Sequence, residues 1–314
     1  MSTTQALWPE LIYRSWRETA VTLQLWTQIV GKIRLALTPW LNHSWQVPLY
    51  VTGRGLGTLP IPAGREILEM EFDFLAHRLE VRTSLGEKRF LVLTPQPVSQ
   101  FYRSLTAQLH DLGITVSIHE MPNEVADPIR FSKDDRHGAY DAAAVHAFWR
   151  VLIQADRLLK QFRTGFLGKA SPVHFFWGSF DLAVTRFSGR PAPLHPGGVP
   201  GLPDTVTREA YSHEVSSAGF WPGNDACPAA AFYSYAYPEP RGFRDRAVTT
   251  GAYFEEKLGE FILPYDTVRR AADPDELVLD FLSRTYEAAA DAAHWDRTQL
   301  ECRPGAAGVV RPLP

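Results

Sequence analysis

From Pro9 to Leu37 the apolar residues Leu11, Ile12, Trp16, Leu23, Trp26, Ile29, Val30, Ile33 and Leu37 recur close to every 3.6 positions, the period that places side chains on one face of a helix. The spacing predicts a long amphipathic helix with Pro9 in its first turn and a stop after Thr38, before Pro39, because proline suits a helix start and breaks a helix interior. Trp16 and Trp26 fall in the apolar stripe and read as core anchors. The period then changes to two. Trp45–Val51 reads as a strand, and 68–74, 78–83 and 89–93 alternate as an antiparallel meander that reverses at Ser84-Leu85-Gly86-Glu87. Pro97–Leu112 returns to a helical period with Phe101, Leu105 and Leu109 stacked and Gly113 at the end. Ile114–His119 reads as a further strand, the polar stretch Met121–Tyr140 as a loop or lid, and Asp141 as the cap of a helix reaching Phe162.

In the second half the pattern is mostly alternating. Ser171–Arg190 reads as a strand pair, the Gly/Pro-crowded Ser188–Pro203 as an irregular loop, and Arg208–Phe220 as irregular chain or strand. Phe232–Tyr237 is an aromatic strand, and Asp273, followed by Pro274, caps a last helix that runs to Trp295. This order predicts an α+β fold of largely antiparallel sheets packed by several amphipathic helices. The expected organisation is one integrated unit over 1–302, with 1–168 and 169–302 as its two halves, followed by a flexible tail over 303–314.

Composition narrows the function. The chain has 314 residues, 45% of them hydrophobic and 21% charged, with a net charge of -3. Such a balance gives no overall basic field for nucleic acid or an anionic membrane. Without a signal-peptide pattern or an apolar run of about 18 residues, the expectation is a cytoplasmic protein with neither nucleic acid nor membrane as partner. The two cysteines, Cys227 and Cys302, exclude a disulfide framework and a paired-spacing zinc site. Gly53-Arg54-Gly55-Leu56-Gly57-Thr58 lacks the Gly-Lys-Ser/Thr ending of a phosphate loop and runs into Leu59-Pro60-Ile61-Pro62, so it reads as a turn. No Gly-x-Ser-x-Gly elbow is present.

Polar and aromatic residues concentrate between His174 and Glu239. His174 and His213 are candidate acid/base groups or metal ligands, with Asp181, Glu214 and Glu239 as candidate carboxylates. Trp177, Arg186, Trp221, Asn224, Tyr235 and Tyr237 are candidate ligand-binding residues. A histidine on an apolar strand also fits a core position. On a strand, Tyr233, Tyr235 and Tyr237 share one face, whereas His213 and Glu214 point to opposite faces, which weakens a simple metal site. Tyr253–Glu256 and Glu260–Asp266 offer further carboxylates with no partner visible in the sequence. No His-Glu-x-x-His pattern occurs, and the metal, the cofactor and the oligomeric state stay open. The pattern favours a small-molecule enzyme; a noncatalytic small-ligand-binding protein and an interaction protein with an aromatic-rich surface are the alternatives.

The segments Trp8-Pro9-Glu10-Leu11, His174–Arg190, Tyr211–Asn224 and Phe232-Tyr233-Ser234-Tyr235-Ala236-Tyr237-Pro238-Glu239 resemble a bacterial family of uncharacterised proteins, over nearly the whole chain. The resemblance implies a bacterial cytoplasmic origin and one architecture spanning both halves. It brings no assigned reaction and no catalytic residues.

Overall fold

A computed structural model describes residues 7–306 and 308–311. The long amphipathic pattern forms helix α1, Tyr13–Leu37. Pro9 lies outside its first turn, because the extended Ile12 begins the helix without a side-chain cap. The helix ends where expected: Thr38 precedes Pro39 and is extended (φ -97°, ψ 133°), the conformation that a following proline imposes.

The first sheet comprises β1 (Tyr50–Val51), β2 (Gly55–Gly57), β3 (Ile61–Ala63), β4 (Glu66–Asp73), β5 (Arg78–Thr83) and β6 (Lys88–Val92). Its order is β1-β2-β4-β5-β6, with β3 also on β4 and every pair antiparallel. The alternation is real: Leu68, Met70, Phe72, Leu79 and Val81 are buried. The strand expected at 45–51 is confined to its last two residues, because Asn42–Ser44 coil into a 3-10 turn that includes His43 at φ 60°.

Helix α2, Val98–Asp111, ends at Gly113. The Gly113 N–H donates to the His110 carbonyl (2.8 Å) and the Ile114 N–H to the Leu109 carbonyl (2.9 Å), a closure that needs the positive φ of Gly113 (76°). The strand expected at 114–119 is absent: after that closure the segment pairs with neither sheet and runs as irregular chain into the loop 121–140.

Helix α3, Ala142–Arg163, is capped by Asp141, whose carboxylate accepts from the N–H groups of Ala143 and Ala144. The second sheet comprises β7 (His174–Phe176), β8 (Asp181–Pro191), β9 (His213–Trp221), β10 (Ala231–Tyr237), β11 (Tyr253–Glu255) and β12 (Glu260–Pro264). Its order is β11-β12-β10-β9-β8-β7, antiparallel throughout. Helix α4 (Asp204–Ala210) interrupts the segment expected to be irregular, and α5 (Tyr265–Arg270), α6 (Pro274–Ala292) and α7 (Arg297–Leu300) complete the chain. Asp273 caps α6 as the sequence predicts.

These two antiparallel sheets and their helices make an α+β fold. Leu49 and Phe175 exchange backbone hydrogen bonds at 2.9 Å each, joining the sheets edge to edge. One hydrophobic cluster contains Trp26 of α1, Phe72 of the first sheet, Phe148 of α3 and Phe220 of the second sheet. Among the described residues no helix is long and apolar enough to cross a membrane. Of the tail expected at 303–314, Ala307 and residues 312–314 lie outside the described residues, while Arg311 turns back to donate to the Arg303 carbonyl (2.9 Å).

Helix α1 carries a line of polar residues at four-residue steps, Gln24, Gln28 and Lys32. Gln24 donates to the Gly178 carbonyl (2.6 Å). Gln28 donates to the Asn123 carbonyl and accepts from the Asn123 N–H, both at 2.8 Å. Lys32 donates to the Met121 carbonyl (2.9 Å) and to Asn123 Oδ1 (2.5 Å). Gln28 is fully buried, so its removal strands two backbone groups away from water. Gln28→Ala is therefore expected to cost about 2–3 kcal/mol, and Gln24→Ala, with one partner and partial exposure, about 1 kcal/mol. Urea denaturation with unchanged slope checks the ranking, and equal losses would contradict it.

Candidate functional site

The register of the second sheet sorts its residues into two faces, since directly paired residues project to the same side. Leu182, Val184, Phe220, Phe232, Phe261 and Leu263 belong to the core cluster, on the side where α3 and α6 pack against the sheet. The opposite face carries Thr185, Ser217 and Tyr235 in one paired row and Ala183, Gly219, Tyr233 and Ile262 in the next. Asp181 begins this face on β8, and Glu260, one step beyond the Tyr233–Ile262 row, begins it on β12.

Asp181 follows a tight turn in which the Phe180 N–H donates to the Phe176 carbonyl (2.8 Å) and Phe180 has φ 64°. A bulky residue with positive φ costs about 1–3 kcal/mol and persists only when its surroundings hold it. Here the turn aims two groups at one point: Ser179 Oγ and Tyr233 Oη both donate to the Asp181 carboxylate. Tyr233 reaches across because Gly219 has no side chain, and a Cβ there would meet the tyrosine hydroxyl.

Glu124 arrives from 121–140, the segment read as a loop or lid. It too has positive φ (55°) and follows directly on Asn123, the residue bound by Gln28 and Lys32. Its carboxylate lies against Gly178, where any Cβ would clash with it. Tyr211, just after α4, shares a hydrogen bond with Tyr235 (Oη to Oη 2.9 Å), and Thr185 with Ser217 (Oγ1 to Oγ 2.9 Å). The His195 ring stacks on Tyr211, with centroids 4.9 Å apart and planes at 21°.

The electrostatics of this face are unusual. Glu124 and Glu260 are half-buried, and desolvation with the nearby Asp181 charge pushes both carboxyls up to about 7. Burial raises Asp181 as well, against the hydrogen bonds from Ser179 and Tyr233. Burial holds both Tyr233 and Tyr235 well above the ordinary tyrosine value, with the Asp181 charge adding to it for Tyr233 and the Tyr211 hydroxyl for Tyr235. No Lys, Arg or His among the described residues forms an ion pair with Glu124, Asp181 or Glu260. Groups poised near neutrality suit general acid/base chemistry. Among the described residues no group of three or more His, Cys, Asp or Glu is arranged to hold a metal ion.

The residues singled out in the sequence are dispersed over both faces. Asp181 and Tyr235 lie in the cluster, beside Tyr233, and Tyr237 continues the row, donating to the Pro193 carbonyl (3.0 Å). His174 is buried against Trp45, Tyr50 and Phe176, with neither ring nitrogen hydrogen-bonded. His213 instead faces His43, with ring centroids 6.2 Å apart; Trp45 and His43 stand between the two histidines. Glu214 projects to the other side and pairs with Arg190 (2.7 Å), as His213 and Glu214 on one strand require. Glu239 pairs with Arg244 (2.7 Å). Trp177 is buried and donates to the Val47 carbonyl (2.9 Å). Arg186 lies on the core face over the rings of Phe162 (3.5 Å) and Tyr286 (4.3 Å). Trp221 packs with Ala231, Tyr233 and Ile262, and Asn224 closes its own loop by accepting from the N–H groups of Ala226 and Cys227 (2.9 Å each).

Glu124, Ser179 and Tyr211 were not among the sequence candidates. For the loops of Glu124 and Ser179 the signal was indirect: Gln24, Gln28 and Lys32 interrupt an apolar helix at four-residue steps, marking a face that binds polar chain rather than core.

The carboxyls set a direction for stability against pH. A carboxyl whose value is raised by folding holds its proton in the native state, so its stabilisation is complete below the unfolded value near 4.5 and is lost as pH rises through about 7. His174, pushed down to about 3 by burial, acts oppositely and removes stability as pH falls from 6.5. Denaturation midpoints should accordingly decline between pH 5 and 8. The double variant Glu124→Gln, Glu260→Gln should recover about 1–3 kcal/mol at pH 8 and little at pH 4.5. Parallel wild-type and variant profiles would contradict the assignment.

No curated protein and no solved structure matches the chain. A family model, described as a family of unknown function (DUF5996), matches residues 8–302. The match runs from Trp8, before α1, through both sheets and past α7, and so takes in every residue of the carboxyl and tyrosine face. The chain belongs to the DUF5996 family.

Proposed function

We propose that the chain is a small-molecule enzyme that moves protons at a hydroxyl- or amine-bearing substrate held on the carboxyl and tyrosine face of the second sheet. The observation that carries this reading is the placement of Glu124 and Glu260. Both carboxyls are half-buried, neither accepts a hydrogen bond or ion pair from a described residue, and both lie near enough to Asp181 to feel its charge. A protonated carboxyl near neutrality donates to a leaving or carbonyl oxygen, and its ionised neighbour accepts. Asp181, fixed by Ser179 and Tyr233, orients and stays acceptor to both. Tyr211, Tyr235 and the His195 ring supply flat walls and hydroxyls that position a ligand.

The test begins with native mass spectrometry of the purified protein, followed by thermal shift against defined small polyols, amino acids and amines. A true ligand at 100 times its Kd stabilises by about 2.7 kcal/mol. That shift should vanish in Glu124→Gln and Tyr235→Phe, and turnover of the same compound should follow the carboxyls. Stabilisation without turnover would make the face a binding site and overturn the catalytic reading. A shift indifferent to all these substitutions would overturn the site.

A further inference from the structure

Toward the other end of β8 the same sheet face carries a second cluster. The chain at Lys169 runs alongside β8: the Phe187 N–H donates to the Lys169 carbonyl (3.0 Å), and Ala170 bridges to Arg186. This holds the Lys169 ammonium over the rings of Phe187 (4.9 Å) and Trp45 (5.2 Å). Its nitrogen lies 2.6 Å from His43 Nε2. The His43 Nδ1 lies 3.1 Å from the Glu209 carbonyl at the end of α4. A carbonyl only accepts, so Nδ1 carries the hydrogen and Nε2 is left bare to take a proton from the lysine. No carboxylate of the described residues pairs with Lys169, although Lys160 nearby in the chain pairs with Asp156 at 2.6 Å.

A nucleophile within hydrogen-bond reach of a base, with the base oriented by a third group, is the arrangement of an activated nucleophile. We propose that Lys169 is a nucleophilic amine that condenses with small aldehydes or ketones, with His43 as its base and Trp45 and Phe187 as the wall for an apolar or aromatic body. In the step, His43 Nε2 removes the ammonium proton and the amine lone pair forms the C–N bond while the carbonyl π pair moves to oxygen. After proton transfers, His43 returns its proton to the carbinolamine hydroxyl, which leaves as water while the nitrogen lone pair forms the C=N bond, and the protonated imine remains. The balance is one ammonium plus one carbonyl giving one protonated imine plus one water, with no oxidant or reductant. His213, with Ser212 Oγ 3.1 Å from its Nδ1, faces His43 from β9 and is the other titratable ring beside the base. Desolvation lowers Lys169 from its ordinary value, and desolvation with the Lys169 charge lowers His43. The Lys169 side chain is exposed, so a carbonyl compound reaches it without opening the fold.

The experiment incubates the full chain with benzaldehyde and cyanoborohydride at pH 7.5 and follows benzylation of each lysine by peptide mapping. The exposed Lys133 and Lys257 serve as internal references. Lys169 is expected to react at least about tenfold faster than either, because a positioned base accelerates removal of its proton, and His43→Gln should return it to the reference rate while Lys257 is unchanged. If that variant does not fold, the wild-type pH–rate profile decides: labelling of Lys169 must reach half-maximum at lower pH than labelling of Lys257. Equal rates for the three lysines, an unaffected rate in a folded His43→Gln, or coincident pH profiles would each overturn the proposal.

Discussion

Helix α1 is buried along most of its length, and a buried polar side chain must find partners or destabilise the fold by about 1–3 kcal/mol. Gln24, Gln28 and Lys32 find theirs in loop backbone: Gly178, Asn123 and Met121. Four-residue spacing puts the three on one line of the helix, so a single rigid element sets the positions of two loops distant in sequence. One loop carries Glu124 and the other carries Ser179 and Asp181. Both contain a strained residue, Glu124 at φ 55° and Phe180 at φ 64°, and conformations of that kind survive where surrounding contacts determine them. The polar line on α1 is therefore what allows two unfavourable backbone geometries to deliver carboxyls to the same place.

Periodicity made much of the frame legible. A helix interrupted by no proline until Pro39, a meander alternating Leu68, Met70 and Phe72, and an aspartate before a proline at 273–274 each state their structure locally. The strand expected at 114–119 was not legible in the same way, since an extended segment becomes a strand only if it pairs with a sheet edge, and this segment pairs with neither sheet. The site divides similarly. Asp181 and the tyrosine row were visible because strand parity fixes which residues share a face. Glu124 was not, because its place comes from a loop being pinned to α1, a contact between residues 95 positions apart. His174 and His213 share residue type and sheet but are parted by Trp45 and His43, which no one-dimensional spacing encodes.

Strand parity also gives β8 two duties. Leu182, Val184 and Arg186 face the helices, where the Arg186 guanidinium lies among Phe162, Phe166 and Tyr286 and burial lowers it to about 10. Asp181, Thr185 and Phe187 face the other way, toward the carboxyl cluster at one end and Lys169 at the other. A shift of one residue in register would exchange the sets, carrying Asp181 into the apolar core and Leu182 onto the polar face. The long β8–β9 pairing, with its irregularity only between Phe187 and Pro191, keeps the two chemistries apart.

Elsewhere in the chain acids are paired with arginine as a matter of course: Glu71 with Arg82 at 2.6 Å, Glu214 with Arg190 at 2.7 Å, Asp280 with Arg284 at 2.7 Å. A sequence so rich in arginine could have neutralised Glu124, Asp181 and Glu260 in the same way. Instead three desolvated carboxyls, two strained residues and a glycine that leaves room for a carboxylate meet at one point. Each of these features lowers stability, and none is required by the packing of the sheet, whose core face is complete without them. Local departures from the rules that govern the rest of a fold mark the places where stability is given up for function. The coincidence of three kinds of departure around Asp181 is what separates this face from an ordinary solvated surface.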